Sequence, residues 1–269
     1  LVISDTNPYD YLSVTVNASV LKTFKITNTG SFLAGSIVDA PLPLPFRYAG
    51  GPATYPGAGG DCAGSLAPTA SCEIVVEFSP LVLGVAPDTI EINYYDGVAT
   101  RQILRQIDGE GLVPAIIAIS DAEPFNFGVL PQGSENTKTF TLTNNGQVNA
   151  TVVAGAGLVL PFEFKDTGLF PGAGTGLCTA VLAPATSCNF VVDYEPAALG
   201  LDSDIIDITY NDGVVAQATS RTIIGSSVLP ATLVISDTNP YDYLSVTVNS
   251  SVLKTFKITN TGSFLAGSI

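Results

Sequence analysis

The residues whose chemistry is most readily named are four cysteines, Cys62 with Cys72 and Cys178 with Cys188, each pair ten residues apart. That spacing is not the Cys-x-x-Cys of redox and zinc centres, which favours a structural disulfide within each pair over thiol exchange or metal binding. Closing a loop of this size stabilises a fold by roughly 2 to 3 kcal/mol by restricting the unfolded chain. Disulfides also point to an oxidising compartment, extracellular or at a cell surface.

Other chemistry is hard to assemble. The chain has 24 Asp and Glu but no His, Trp or Met, which removes Ser–His and Cys–His nucleophile pairs, His-containing zinc sites and Trp platforms for sugars. Acid–base work by two carboxylates needs them to converge across a cleft, whereas here they fall singly at turns or on outward strand positions. No catalytic residue, metal or cofactor is expected. Asp5, Asn7 and Asp10, with Asp108 and Glu110 near the following junction, offer hard oxygens of the kind calcium takes. Ile224 and Ser226 replace the last two at the second junction, so a calcium clamp at every joint is not expected. The loops Pro43 to Gly60 and Glu163 to Gly176 are rich in Gly, Pro and aromatics, which makes Tyr48, Tyr55 and Phe170 candidate contacts for a carbohydrate or protein. The competing reading is a packed loop below the disulfide, favoured because Phe46 and Phe162 hold identical repeat positions.

A net charge of -14 with only ten Lys and Arg argues against nucleic acid and anionic lipid as partners, since both require clustered cations. No apolar run approaches the ~18 residues of a membrane-spanning helix, so this segment is not expected to insert in a membrane. The sequence opens without Met or a leader and is expected to be a mature piece or an internal window of something longer.

The elements that would carry these residues are set by repetition. Leu1 to Ile37 recurs at Leu233 to Ile269 with one change, Ala18 to Ser250. Half that offset aligns the middle of the chain: Ser4-Asp5 with Ser120-Asp121, Thr23-Phe24 with Thr139-Phe140, Cys62 with Cys178, and Asp96-Gly97 with Asp212-Gly213. The unit is 116 residues, giving repeats over 1–114 and 115–230 and an incomplete third over 231–269 that holds only first strands. This last is expected to be a cut through a longer array or a donor of strands to a neighbour. Within a unit, Val20, Phe24 and Ile26 share one parity, as do Ile74, Val76 and Phe78, while Glu73, Val75 and Glu77 take the other. Asp96-Gly97 suits a hairpin before a return segment Gln102 to Ile107. About seven strands per unit and no amphipathic helix predict an all-β protein of tandem immunoglobulin-like antiparallel sandwiches. Junctions are placed at Gly109-Glu110-Gly111-Leu112-Val113-Pro114 and Ser226-Ser227-Val228-Leu229-Pro230, short and Pro-bearing, which favours a semi-rigid rod.

The stretch LAPTASCEIVVEFSPLVLG from Leu66 to Gly84, its copy LAPATSCNFVVDYEPAALG, and the Thr-Phe-x-Ile-x-Asn-x-Gly strand of Thr23 to Gly30 resemble bacterial choice-of-anchor D surface proteins. Their domains are similar to abnormal-spindle and Hydin-type immunoglobulin-like modules. The resemblance covers both full units and implies a seven-stranded sandwich of the major sperm protein kind, in secreted or surface-displayed bacterial chains. Thr69-Ala70 and Ala185-Thr186 depart from the family's Pro-Gly-x-Ser-Cys. The expected function is a non-catalytic extracellular stalk or fibre whose partners are copies of itself. The alternatives are a self-assembling filament completed by strand exchange, or an adhesin with a surface receptor or glycan.

Overall fold

Alternation produces the expected pairing in the first repeat. Its strands are β1 (Val2–Ile3), β2 (Tyr9–Thr15), β3 (Val20–Thr27), β4 (Ala34–Asp39), β5 (Phe46–Tyr48), β6 (Ser65–Leu66), β7 (Ser71–Phe78), β8 (Gly84–Tyr95) and β9 (Thr100–Leu112). One sheet has the order β1-β3-β7-β5 and the other β2-β9-β8-β4-β6. Phe24, Ile26, Ile74, Val76 and Phe78 of the first meet Ile90, Ile92 and Ile107 of the second, none more than 1% exposed. That closed apolar interior is the main stabilising term, at roughly 1.5 to 3 kcal/mol for each large side chain removed from water. The computed structural model describes residues 1–51 and 54–268; Pro52 and Ala53, within the expected loop Pro43 to Gly60, and Ile269 lie outside the described residues.

The second repeat reproduces this with β10 (Ile117–Ile119), β11 (Phe125–Pro131), β12 (Asn136–Asn144), β13 (Ala150–Gly155), β14 (Phe162–Phe164), β15 (Val181–Leu182), β16 (Ser187–Tyr194), β17 (Gly200–Asn211) and β18 (Ala216–Val228). Its sheets run β10-β12-β16-β14 and β11-β18-β17-β13-β15. Tandem immunoglobulin-like β-sandwiches are therefore the architecture. Nine strands form per repeat where about seven were expected, because pieces of two or three residues such as β1, β5 and β6 are too short to show alternation. Between the named strands pairing is antiparallel except where the chain crosses between sheets: β1 pairs antiparallel with β3, then β2 pairs parallel with β9, as β11 does with β18.

Two sequence expectations are corrected. The stretch read as a linker, Gly109 to Leu112, is the end of β9, and Ser226 to Val228 end β18. Gly109 is required because a β-carbon there would lie 2.6 Å from the Phe78 ring, and at Gly111 it would collide with the Val82 carbonyl. Val75, assigned to the outward face, is 6% exposed because the loop after β5 covers it.

In the third repeat β19 (Leu233–Ile235) pairs with β20 (Ile258–Asn260). Ile235, Phe256 and Ile258 are 61%, 40% and 51% exposed where Ile3, Phe24 and Ile26 are buried, since no second sheet faces them. Among the described residues no helix is long and apolar enough to cross a membrane.

Candidate functional site

Both cysteine pairs form disulfides, Cys62–Cys72 and Cys178–Cys188, with Cα atoms 4.9 and 4.8 Å apart. Each bond ties the start of a core strand to the loop that precedes it. That loop lies along β7: Ala49 N donates to Val75 O at 2.9 Å and Val75 N donates to Pro56 O at 2.8 Å. The second repeat repeats the arrangement, Lys165 N to Val191 O at 3.0 Å and Val191 N to Pro171 O at 2.9 Å. Gly57, at φ +90°, is needed where the loop meets the Val75 carbonyl, as Gly172 is at Val191.

The candidate ligand contacts sit inside this packing. Tyr48 is 2% exposed and meets Tyr55 edge-on with centroids 5.3 Å apart. Phe170 is half-buried and packs on Phe164 and Phe190 at 5.6 and 5.8 Å. Burial pushes the Tyr55 hydroxyl up to about 12 and raises that of Tyr48 as well, so both stay neutral at physiological pH. Their geometry is that of core aromatics under a loop.

Of the residues considered for calcium, Asp5, Asn7, Asp10 and Glu110 each bond within the protein, while Asp108 Oδ1 is buried without a partner. Asp5 binds Lys22 Nζ at 2.6 Å, Asn7 Oδ1 accepts from Gln106 N at 2.9 Å, and Asp10 Oδ1 accepts from Leu12 N at 2.6 Å. Asp10 and Asp108 are Cα partners, and Glu110 accepts from Ser13 at 3.0 Å. Among the described residues the acidic trio that does gather is Glu135, Asp193 and Glu195, within 4.8 Å. The Lys165 ammonium answers it, 3.1 Å from Glu135 and 3.2 Å from Asp193. Lys165 thereby holds the Glu135 carboxyl below its usual range.

One recurring constellation was not read from the sequence. Asp5–Lys22, Asp121–Lys138 and Asp237–Lys254 are each paired at 2.6 Å, and each ammonium lies 4.7 to 4.8 Å above an aromatic ring, Tyr9, Phe125 or Tyr241. Asp5, Asp121 and Asp237 all have φ near +73°, the first two at the crossover between sheets. A 17-residue Asp-to-Lys spacing kept in all three copies was the available signal.

The joint between repeats is the remaining site. Leu112 O, at the end of β9, accepts from Val16 N at 2.9 Å, which ties it to the first repeat. The next residue already belongs to the second: Val113 N donates to Gln147 Oε1 at 2.8 Å and Val113 O accepts from Gln147 N at 3.0 Å. Pro114 presses its carbonyl on Gly146, where no β-carbon fits, and Ala115 N donates to Asp212 O at 2.9 Å. Thr15 of the first repeat meets the hairpin of the second, where a β-carbon on Gly213 would be 3.2 Å from its hydroxyl. At the next joint Gln132 N donates to Val228 O at 2.9 Å, and Leu229 O then accepts from Ser263 and Phe264 N at 3.1 and 2.9 Å. Among the described residues each of Leu112, Val113, Pro114 and Ala115 has a bond or a packed neighbour on one side or the other.

No protein-family model and no curated protein matches this sequence. Solved structures with similar strands include the PapD-like domain 7 of human CEP192, 12% identical over 44% of this chain and 88% of that one, with a TM-score of 0.34. A Vibrio cholerae VesB protease structure is 17% identical over 41% of this chain, which spans 31% of the protease chain, at 0.34. The extracellular cadherin domains 1–4 of protocadherin gamma B7 are 10% identical over 96% of this chain and 59% of that one, at 0.36. At such scores these likenesses carry no functional argument; the sandwich is established by the strand pairing itself.

Proposed function

We propose that this chain is a non-catalytic extracellular array whose repeats serve as a stalk or fibre of a bacterial surface or secreted protein. The observation that carries the reading is the joint: β9 is bonded to its own repeat through Leu112, and Val113, directly after it, is bonded to the next. A connection with no free residue transmits orientation, so repetition adds length in place of swinging domains. The disulfides support an extracellular setting. The acidic, Lys-poor surface supports a soluble rod that repels its own kind edge to edge. The bacterial surface assignment draws on the resemblance to choice-of-anchor D proteins, and the partners are neighbouring copies of the same repeat.

Negative-stain electron microscopy of the native material, with its mass under denaturing, non-reducing conditions, tests this. Thin single-chain rods with a period of one repeat are expected. Thick fibres of several chains would replace the stalk with a laterally assembled filament.

A further inference from the structure

The cluster of Glu135, Asp193 and Glu195 holds more negative charge than its neighbours answer. Each carboxylate brings an oxygen within 4.8 Å of the other two. Glu163, the cross-strand partner of Asp193, adds a fourth carboxylate on the same face of the sheet. Against these stands Lys165, whose Nζ lies 3.1 Å from Glu135 Oε1, 3.2 Å from Asp193 Oδ2 and 3.3 Å from Thr137 Oγ1. Its three donors are thereby used.

One atom is left over where it is most costly. The Asp193 side chain is 2% exposed, yet its Oδ1 has no hydrogen-bond partner. A buried carboxylate oxygen costs free energy until a donor or a cation reaches it. The exposed Glu195 carboxylate, within the same 4.8 Å, brings no donor.

The first repeat supplies the comparison. At the positions of Glu135, Glu163, Asp193 and Glu195 it has Ser19, Arg47, Glu77 and Ser79. There the one carboxylate is answered by Arg47, whose Nε donates to Glu77 Oε2 at 2.8 Å. The sandwich therefore folds without an acidic cluster at this place, and the second repeat carries one with a glutamate where the first has its arginine.

We propose that Glu135, Asp193 and Glu195 form a calcium site, with Asp193 Oδ1 as the buried ligand and the two exposed glutamates and water completing the shell. Calcium accepts an irregular set of carboxylate and water oxygens, whereas magnesium demands a near-ideal octahedron and gives up its water reluctantly. Lys165, on the Oδ2 side, offsets part of the charge and keeps the affinity in the weak range of extracellular modules. The ligands come from the segment before β12 and the residue after β16, which the backbone already ties together: Gly133 N donates to Pro196 O at 2.9 Å. The inference is independent of the stalk reading.

The test is a 15N NMR titration of the whole chain with calcium chloride in about 0.15 M KCl, which screens diffuse ion binding. The amides of Glu135, Asp193 and Glu195 should shift together and saturate with one Kd of about 0.1 to 1 mM. Those of Ser19, Glu77 and Ser79 should stay in place. Asp193→Asn should abolish the binding. Glu195→Gln should weaken it at least about fivefold by removing one ligand charge, and should leave the calcium-free melting temperature within about 2 °C because the residue is exposed. No saturable shift by about 10 mM calcium, ten times the weakest Kd expected, overturns the proposal. Equal shifts around Glu77, or an unchanged affinity in Glu195→Gln, overturn it as well. Magnesium acting at the same concentrations would overturn the assignment to calcium.

Discussion

Tyr194 donates a hydrogen bond of 2.7 Å to Asp202, and one repeat earlier both positions are apolar, Phe78 and Ala86. The two repeats thus solve one packing problem in two self-consistent ways. Burial, and next the Asp202 carboxylate, raise the Tyr194 hydroxyl above its ordinary range, so it is protonated and donates at neutral pH. Asp202→Ala should cost about 1 to 3 kcal/mol because it strands a buried hydroxyl. The double change Tyr194→Phe with Asp202→Ala, which copies the first repeat, should recover most of that loss in urea unfolding. Additive losses would show that the pair is not coupled.

The Asp–Lys pairs set the acid limb of stability. Lys22 and then Ser4 hold the Asp5 carboxyl below its usual range, and Lys138 and then Ser120 do the same for Asp121. A depressed folded value contributes stability that is present above the ordinary carboxylate range and is lost as pH falls through the depressed value. Stability should therefore stay level from about pH 7 to 5 and decline below about 4. Lys22→Met should cost about 1 kcal/mol at neutral pH, from the half-buried ion pair and the contact over Tyr9. The gap to the parent should narrow toward pH 3. A gap independent of pH would assign the loss to packing alone.

Reduction of the disulfides should destabilise each full repeat by about 2 to 3 kcal/mol without unfolding it, because the aromatic core on either side of Cys72 and Cys188 is closed without them. Chemical denaturation with and without reductant, followed by tyrosine fluorescence, reads this directly. Complete unfolding on reduction would mean that the loop along β7 and the core form only together.

The sequence made the sandwich legible where alternation ran for five residues or more, as in β3, β7 and β16. It misled where a residue's reason lay in a distant partner. Gly109 and Gly111 look like a linker, yet one lies under the Phe78 ring and the other against the Val82 carbonyl. Val75 looks outward-facing until Ala49 and Pro56 bond to its backbone from the loop above. Tyr48, read both as a ligand contact and, by preference, as a packed loop aromatic, is buried against Tyr55. The joint was legible only as short and Pro-bearing, because what holds it are backbone amides and carbonyls, which any residue supplies.

The most direct test of that joint is backbone 15N relaxation of the two complete repeats in one chain. With Val113 bonded to Gln147 immediately after Leu112 is bonded to Val16, residues 2–112 and 117–228 should share one anisotropic tumbling time, that of a rod two repeats long. Separate, shorter times, each that of a lone repeat, would show a swinging connection and contradict the account.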